Sequence, residues 1–108
     1  MSGPRRRALL MALLAGLAAG CSESTPSNPS VERGRQIYLA HCILCHNVDP
    51  AQPGPVGPPV KGASRALLEA KVLKGTYPPG HTPKRSTTVM VPLPALAPDI
   101  AALADYLR

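Results

Sequence analysis

Phenylalanine and tryptophan are missing from this 108-residue chain, and tyrosine occurs only three times. So few rings offer little to stack against bases. No run of basic residues is interleaved with aromatics, so nothing points to a nucleic-acid-binding surface. Acidic residues are scarce as well, six against twelve Lys and Arg. They form no pair suited to general acid–base work. There is no Ser/His/Asp set and no phosphate-cradling glycine loop, which leaves no small-molecule substrate to propose. Long apolar runs are also lacking. The stretch Ala8–Ala19 has twelve residues, short of the ~20 that cross a bilayer as a helix. No convincing strand pair is present.

What the chain does have is concentrated in Cys42-Ile43-Leu44-Cys45-His46. A C-x-x-C-H run reads as an attachment site for c-type haem. Each sulfur can add to a vinyl group of the ring, giving two thioether bonds, and the adjacent imidazole can reach the iron from one side. On a helical turn Cys42, Cys45 and His46 stand at i, i+3 and i+4 and share one face. C-x-x-C without the histidine also describes a dithiol redox pair or half a zinc site. Cys42, Cys45 and His46 with His81 as a fourth donor would make a zinc-type set.

The front of the chain reads as an address. Arg5-Arg6-Arg7 followed by the apolar stretch has the layout of an export signal, assigned here to residues 1–20. Leu17-Ala18-Ala19-Gly20-Cys21 resembles the lipobox of bacterial lipoproteins, with Ala18 where Leu is commoner. The resemblance implies that Cys21 is acylated and becomes the new N-terminus, anchoring the protein to a membrane surface. Cysteine parity agrees. Of three cysteines the haem takes Cys42 and Cys45, and the odd one in an exported protein needs a use. Ser22, rather than Asp, follows Cys21, which by resemblance to lipoprotein sorting favours the outer membrane. The alternative is ordinary secretion, with a soluble periplasmic product. Three basic residues leave with residues 1–20 and all six acids stay, so the formal charge falls from +6 to +3.

Residues 21–30 are polar and proline-containing, as a flexible tether would be. Val31–Arg108 is then one small all-α domain. At 78 residues it needs a staple beyond its hydrophobic core, and a covalently held haem would supply both the staple and the large flat apolar body that the missing aromatics do not. Three helices are expected. The first runs from Val31 to Cys42, with Ser30 as N-cap and with Gly34 and Tyr38 on one face. Gly34, costly inside a helix, implies a close helix approach. The second runs from Ser64 to Lys74, capped by Ser64, stopped by Gly75 and apolar at Leu67, Leu68 and Val72. The third runs from Pro98 to Leu107, with Asp99 at its positive end and Ile100, Leu103 and Leu107 on its inner face. Asn47–Gly62 and Thr76–Pro94 are too rich in Pro and Gly for long regular elements.

Over essentially all of Val31–Arg108 the chain resembles the class I cytochromes c. In that family the first helix carries a Gly and, four residues on, an aromatic. These cross the last helix at a Leu and an aromatic three apart, matched by Gly34, Tyr38, Leu103 and Tyr106. Gly57-Pro58-Pro59-Val60-Lys61-Gly62 matches the family's Gly-Pro-x-Leu-x-Gly segment, with Val for Leu. The resemblance implies that the Pro58 carbonyl accepts a hydrogen bond from the ring N–H of His46, fixing the ring and raising its basicity. It also implies that Met90 is the second iron ligand, although Val91 stands between it and Pro92. Met1 and Met11 belong to the export signal, so Met90 is the sole methionine of the mature chain. A thioether suits haem iron and raises its potential. His81 is the competing ligand, or a loop histidine. His41 should point away from the iron. Tyr77, Arg85, Lys61 and Thr87 are candidates for the haem propionates or ordinary surface residues. Glu69 and Asp99 read as helix-surface charges.

With His46 and Met90 both on the iron, no position stays open for a substrate, and the expected function is one-electron transfer by a haem c protein facing the periplasm. Its partners would be periplasmic or membrane-bound redox proteins, and it could be the electron-transfer subunit of a larger oxidoreductase. Lys61, Arg65, Lys71, Lys74, Lys84 and Arg85 could ring the haem edge and steer an acidic partner, or be a solvated surface. The alternative is a haem-based ligand sensor or peroxidase-like module with a labile sixth ligand.

Overall fold

The computed structural model describes Gly20 and residues 28–108. The expected export signal and the lipidation site Cys21 therefore lie outside the described residues. Helix α1 spans Pro29–His41, α2 spans Arg65–Lys74, a 3₁₀ turn spans Pro94–Asp99, and α3 spans Ile100–Leu107. No strand occurs among the described residues, so the protein is all-α as expected.

α1 begins two residues earlier than its expected start, inside the segment assigned to the tether. Its N-cap is Asn28, not Ser30. The Asn28 side chain accepts the Ser30 backbone N–H at 2.9 Å, and Pro29 occupies the first helical position, where its missing N–H costs nothing. Asn caps as well as Ser does, and Ser30 has another task. Its hydroxyl donates to Asp105 of α3 at 2.6 Å, pinning the start of α1 to the last helix.

α2 follows its sequence signals closely. Ser64 accepts from the Leu67 N–H at 3.1 Å, and Gly75 closes the helix at φ +68°, a conformation that glycine adopts without strain. The third helix differs from expectation. Pro98 lies within the 3₁₀ turn, and the α-helix starts only at Ile100. Prolines four apart, at 94 and 98, deny the backbone the N–H that an α-helical bond from Pro98 to Pro94 would need. Asp99 makes no cap bond there. It pairs with Arg33 of α1 at 3.0 Å.

The core consists of Ile37 and Tyr38 from α1, Leu68 and Val72 from α2, Leu96 from the 3₁₀ turn, and Ile100, Leu103 and Leu107 from α3. Its central event is the crossing of α1 over α3. A Cβ on Gly34 would collide with the Ala102 carbonyl and come within 2.7 Å of the Tyr106 Cβ, so only glycine lets the two backbones meet. Beside the crossing the Tyr38 and Tyr106 rings pack at 5.6 Å, tilted by 48°, a favoured aromatic geometry. Burial pushes the Tyr38 phenol up to about 12. It therefore stays a donor in the physiological range and gives its proton to the Asn47 carbonyl, tying α1 to the first residue after the C-x-x-C-H run.

Helix propensity alone would make Gly34→Ala stabilising by about 1 kcal/mol. The crossing reverses the sign: overpacking costs ~1–3 kcal/mol or more. The midpoint of thermal unfolding, followed by helical circular dichroism of the holoprotein, is expected to fall by on the order of 10 °C. An unchanged or raised midpoint would contradict this account of the crossing.

Candidate functional site

α1 hands the chain to the C-x-x-C-H run without a break in hydrogen bonding. The Cys42 N–H donates to the Tyr38 carbonyl at 2.9 Å. The Cys42 carbonyl then accepts from Cys45 N–H at 3.3 Å and from His46 N–H at 2.9 Å. One more turn of helix-like bonds thus carries the two cysteines and the histidine. Both thiols are free rather than joined in a disulfide; Cys42 is half-buried and Cys45 is exposed. Burial pushes the Cys42 thiol up to about 11.

The ring of His46 is closely confined. Its Nδ1 lies 2.9 Å from the Pro58 carbonyl oxygen. A carbonyl only accepts, so Nδ1 carries the proton and donates, and in the neutral ring Nε2 is then the lone pair that can meet a metal. The loop before Pro58 is folded onto the same residue. The N–H groups of Val56 and Gly57 both donate to the Cys45 carbonyl, at 3.1 and 2.7 Å, and the Gly54 N–H donates to the Gly57 carbonyl at 2.9 Å. Two glycines make room for this wrap. A Cβ on Gly57 would stand 2.5 Å from His46 Nδ1 and 2.9 Å from Nε2, and a Cβ on Gly54 would stand 2.5 Å from His46 Cα. Gly57 entered the sequence analysis only as part of a motif, and Gly54 not at all. In a chain with nine glycines, nothing local marks the one that a folded loop will press against an imidazole.

Met90 sits partly buried against the core in the loop between α2 and the 3₁₀ turn. That loop is tied down after it by the Leu93 N–H, which donates to the Val72 carbonyl at 2.6 Å. His81 is engaged elsewhere. Its ring stacks on Tyr77 at 5.2 Å, nearly parallel, and Lys71 Nζ lies 4.4 Å from the centre of the same tyrosine ring. Among the described residues no three His, Cys, Asp or Glu side chains come together as a metal-holding group, so Cys42, Cys45, His46 and His81 do not form the zinc set considered above. His41 is exposed at the end of α1.

The residues considered for propionate contacts separate. Lys61 and Thr87 are exposed and Tyr77 belongs to the stack. Arg85 donates to the Val56 carbonyl at 2.7 Å, and Lys84 donates to the Pro59 carbonyl at 2.8 Å. Of the expected basic ring, Arg65 is matched by Glu69 at 2.9 Å. Two shallow clefts, of about 190 and 260 Å³, border Arg108, and neither is lined by Cys42, His46 or Met90. No helix among the described residues is long and apolar enough to cross a membrane.

These features fit a covalently held haem: two free thiols on one turn, an imidazole locked with Nε2 available, and a half-buried thioether. Of the exposed large apolar side chains, Ile43 and Leu44 lie within the C-x-x-C-H run, Val48 just after it, Val56 in the loop before Pro58, and Val89 and Val91 beside Met90. No curated protein matches the chain. The family model for cytochrome c matches residues 31–108, nearly the whole described domain. The chain belongs to the cytochrome c family, all-α proteins that carry covalently attached haem c and use its iron for electron transfer.

Proposed function

We propose that this protein is a one-electron carrier whose haem is joined through Cys42 and Cys45 and whose iron is held between His46 Nε2 and the Met90 sulfur. The observation that carries this reading is the bond from His46 Nδ1 to the Pro58 carbonyl, because it fixes which nitrogen is free and where the ring faces. The haem supplies an iron that changes oxidation state by one electron, at a potential set within the ~0.8 V range that axial ligands command. Everything else falls to the polypeptide. The turn at Cys42–His46 places the attachment points, Gly54 and Gly57 let the loop close on the imidazole, and the Pro58 carbonyl keeps the imidazole oriented. Met90 would supply the second ligand, which would leave no open position for dioxygen or a substrate.

Export of the chain to the periplasmic side and acylation of Cys21 complete the proposal. A short tether on a lipid anchor confines the domain to a shell near the membrane and raises its effective concentration at redox partners there. Those partners would be periplasmic or membrane-bound redox proteins, met in weak, brief encounters and attracted by the excess of basic charge. One of them could be the catalytic subunit of an oxidoreductase that this chain serves.

The oxidised holoprotein should show the weak far-red absorption band of thioether-ligated ferric haem. Met90→Ala should abolish that band and lower the midpoint potential by on the order of 0.1 V or more, within the ~0.8 V range. Rapid binding of carbon monoxide by the reduced wild type would overturn the carrier reading in favour of a ligand-sensing or peroxidase-like module.

For the anchor, Cys21→Ser is expected to move the haem protein from the membrane fraction of an exporting bacterial host to the soluble periplasmic fraction. An unchanged distribution would remove the lipid from the account.

A further inference from the structure

We propose that Lys84 and Arg85 are positioning residues that strap the Met90 loop to the segment holding His46, and so keep the thioether in place; the proposal rests on the reading of Met90 as a ligand. From Thr82 to Pro92 every side chain except Met90 is exposed, so the segment has no apolar packing of its own beyond that one residue. None of its backbone N–H groups reaches a backbone carbonyl among the described residues.

Its ends are fixed. On one side His81 stacks on Tyr77. On the other, Leu93 bonds Val72, and Pro92 lies against Gly75, where a Cβ would come within 3.0 Å of it. Between these ends the segment makes two side-chain hydrogen bonds to other described residues, Lys84 Nζ to the Pro59 carbonyl at 2.8 Å and Arg85 to the Val56 carbonyl at 2.7 Å.

The acceptors decide what the bonds do. Val56 and Pro59 bracket Gly57 and Pro58, the residues that confine and orient the His46 ring. Each strap therefore runs from the Met90 side of the site to the His46 side. Charged donors make the stronger hydrogen bonds, and long side chains can bridge a gap that backbone cannot. Without the straps, a segment held at its ends and by the packing of Met90 alone samples open forms more often. Each opening would take Met90 away from its place.

The test uses ferric holoprotein and imidazole, which competes for the position Met90 holds and is largely uncharged at ~pH 8. The apparent affinity for imidazole reports the fraction of molecules with the loop open, and Lys84→Ala/Arg85→Ala is expected to raise it about tenfold. Lys84→Arg/Arg85→Lys, which keeps both donors, should stay near wild type. Arg65→Ala/Lys74→Ala, which removes the same charge from α2, should also stay near wild type. An affinity unchanged in the Lys84→Ala/Arg85→Ala protein, while Met90→Ala binds imidazole far more tightly than wild type, overturns the straps and spares the ligand reading. An equal gain in the α2 pair also overturns the straps, assigning the effect to net charge. Equal binding by wild type and Met90→Ala overturns the ligand reading, and the straps with it.

Discussion

The hydrogen bond between the His46 ring and the Pro58 carbonyl is the constraint around which the rest of the domain is arranged. An imidazole has two nitrogens and, when neutral, one proton. A fixed acceptor on one nitrogen decides the state of the other. Pro58 can be that acceptor only if residues 54–57 fold tightly over the Cys45 carbonyl, and they can do so only because Gly54 and Gly57 have no side chain to place there. A loop rich in proline and glycine thus acts as a rigid fitting. Proline restricts the chain outside the contact, and glycine allows the contact itself.

The helices serve that fitting from behind. α1 ends where the C-x-x-C-H turn begins, so the direction of α1 sets the direction of the site. α1 is held by its crossing with α3 at Gly34, by the Ser30–Asp105 bond at one end, and by the bond from the Tyr38 hydroxyl to the Asn47 carbonyl at the other. The core is small, eight residues drawn from four short elements, and it lies among the helices rather than under the loops. A domain of this size gains from a covalent cofactor in two ways. The ring would add apolar surface to a small core, and attachment through two thioether bonds would restrict the unfolded chain as a cross-link does.

The sequence is legible where one residue type answers to one physical demand. Cys42, Cys45 and His46 at helical spacing, Ser64 and Gly75 at the ends of α2, and Gly34 as the mark of a close helix approach were all readable, whereas its meeting with the helix that carries Leu103 and Tyr106 came from the family resemblance. It is less legible where two residues can satisfy the same demand. Asn28 and Ser30 are both good caps, and the choice between them turned on Asp105, a partner 75 residues from Ser30. Pro98 suits the start of an α-helix, but it lies inside a 3₁₀ turn that begins at Pro94, and the α-helix starts only at Ile100. Contacts between loops were not readable from the residues themselves; the bond from His46 to the Pro58 carbonyl was expected only through the family resemblance. Neither the pressure of Gly54 on His46 nor the reach of Lys84 and Arg85 to carbonyls more than 24 residues away leaves a periodic trace.

The central claim is that a haem is bonded to this polypeptide through both sulfurs of one turn. The most direct measurement is the intact mass of the processed protein, purified from a host able to attach haem after export and then denatured. The account predicts the mass of the polypeptide plus one haem, with Cys42 and Cys45 both resistant to alkylation. The mass of the polypeptide without haem, with both thiols open to alkylation, would contradict it.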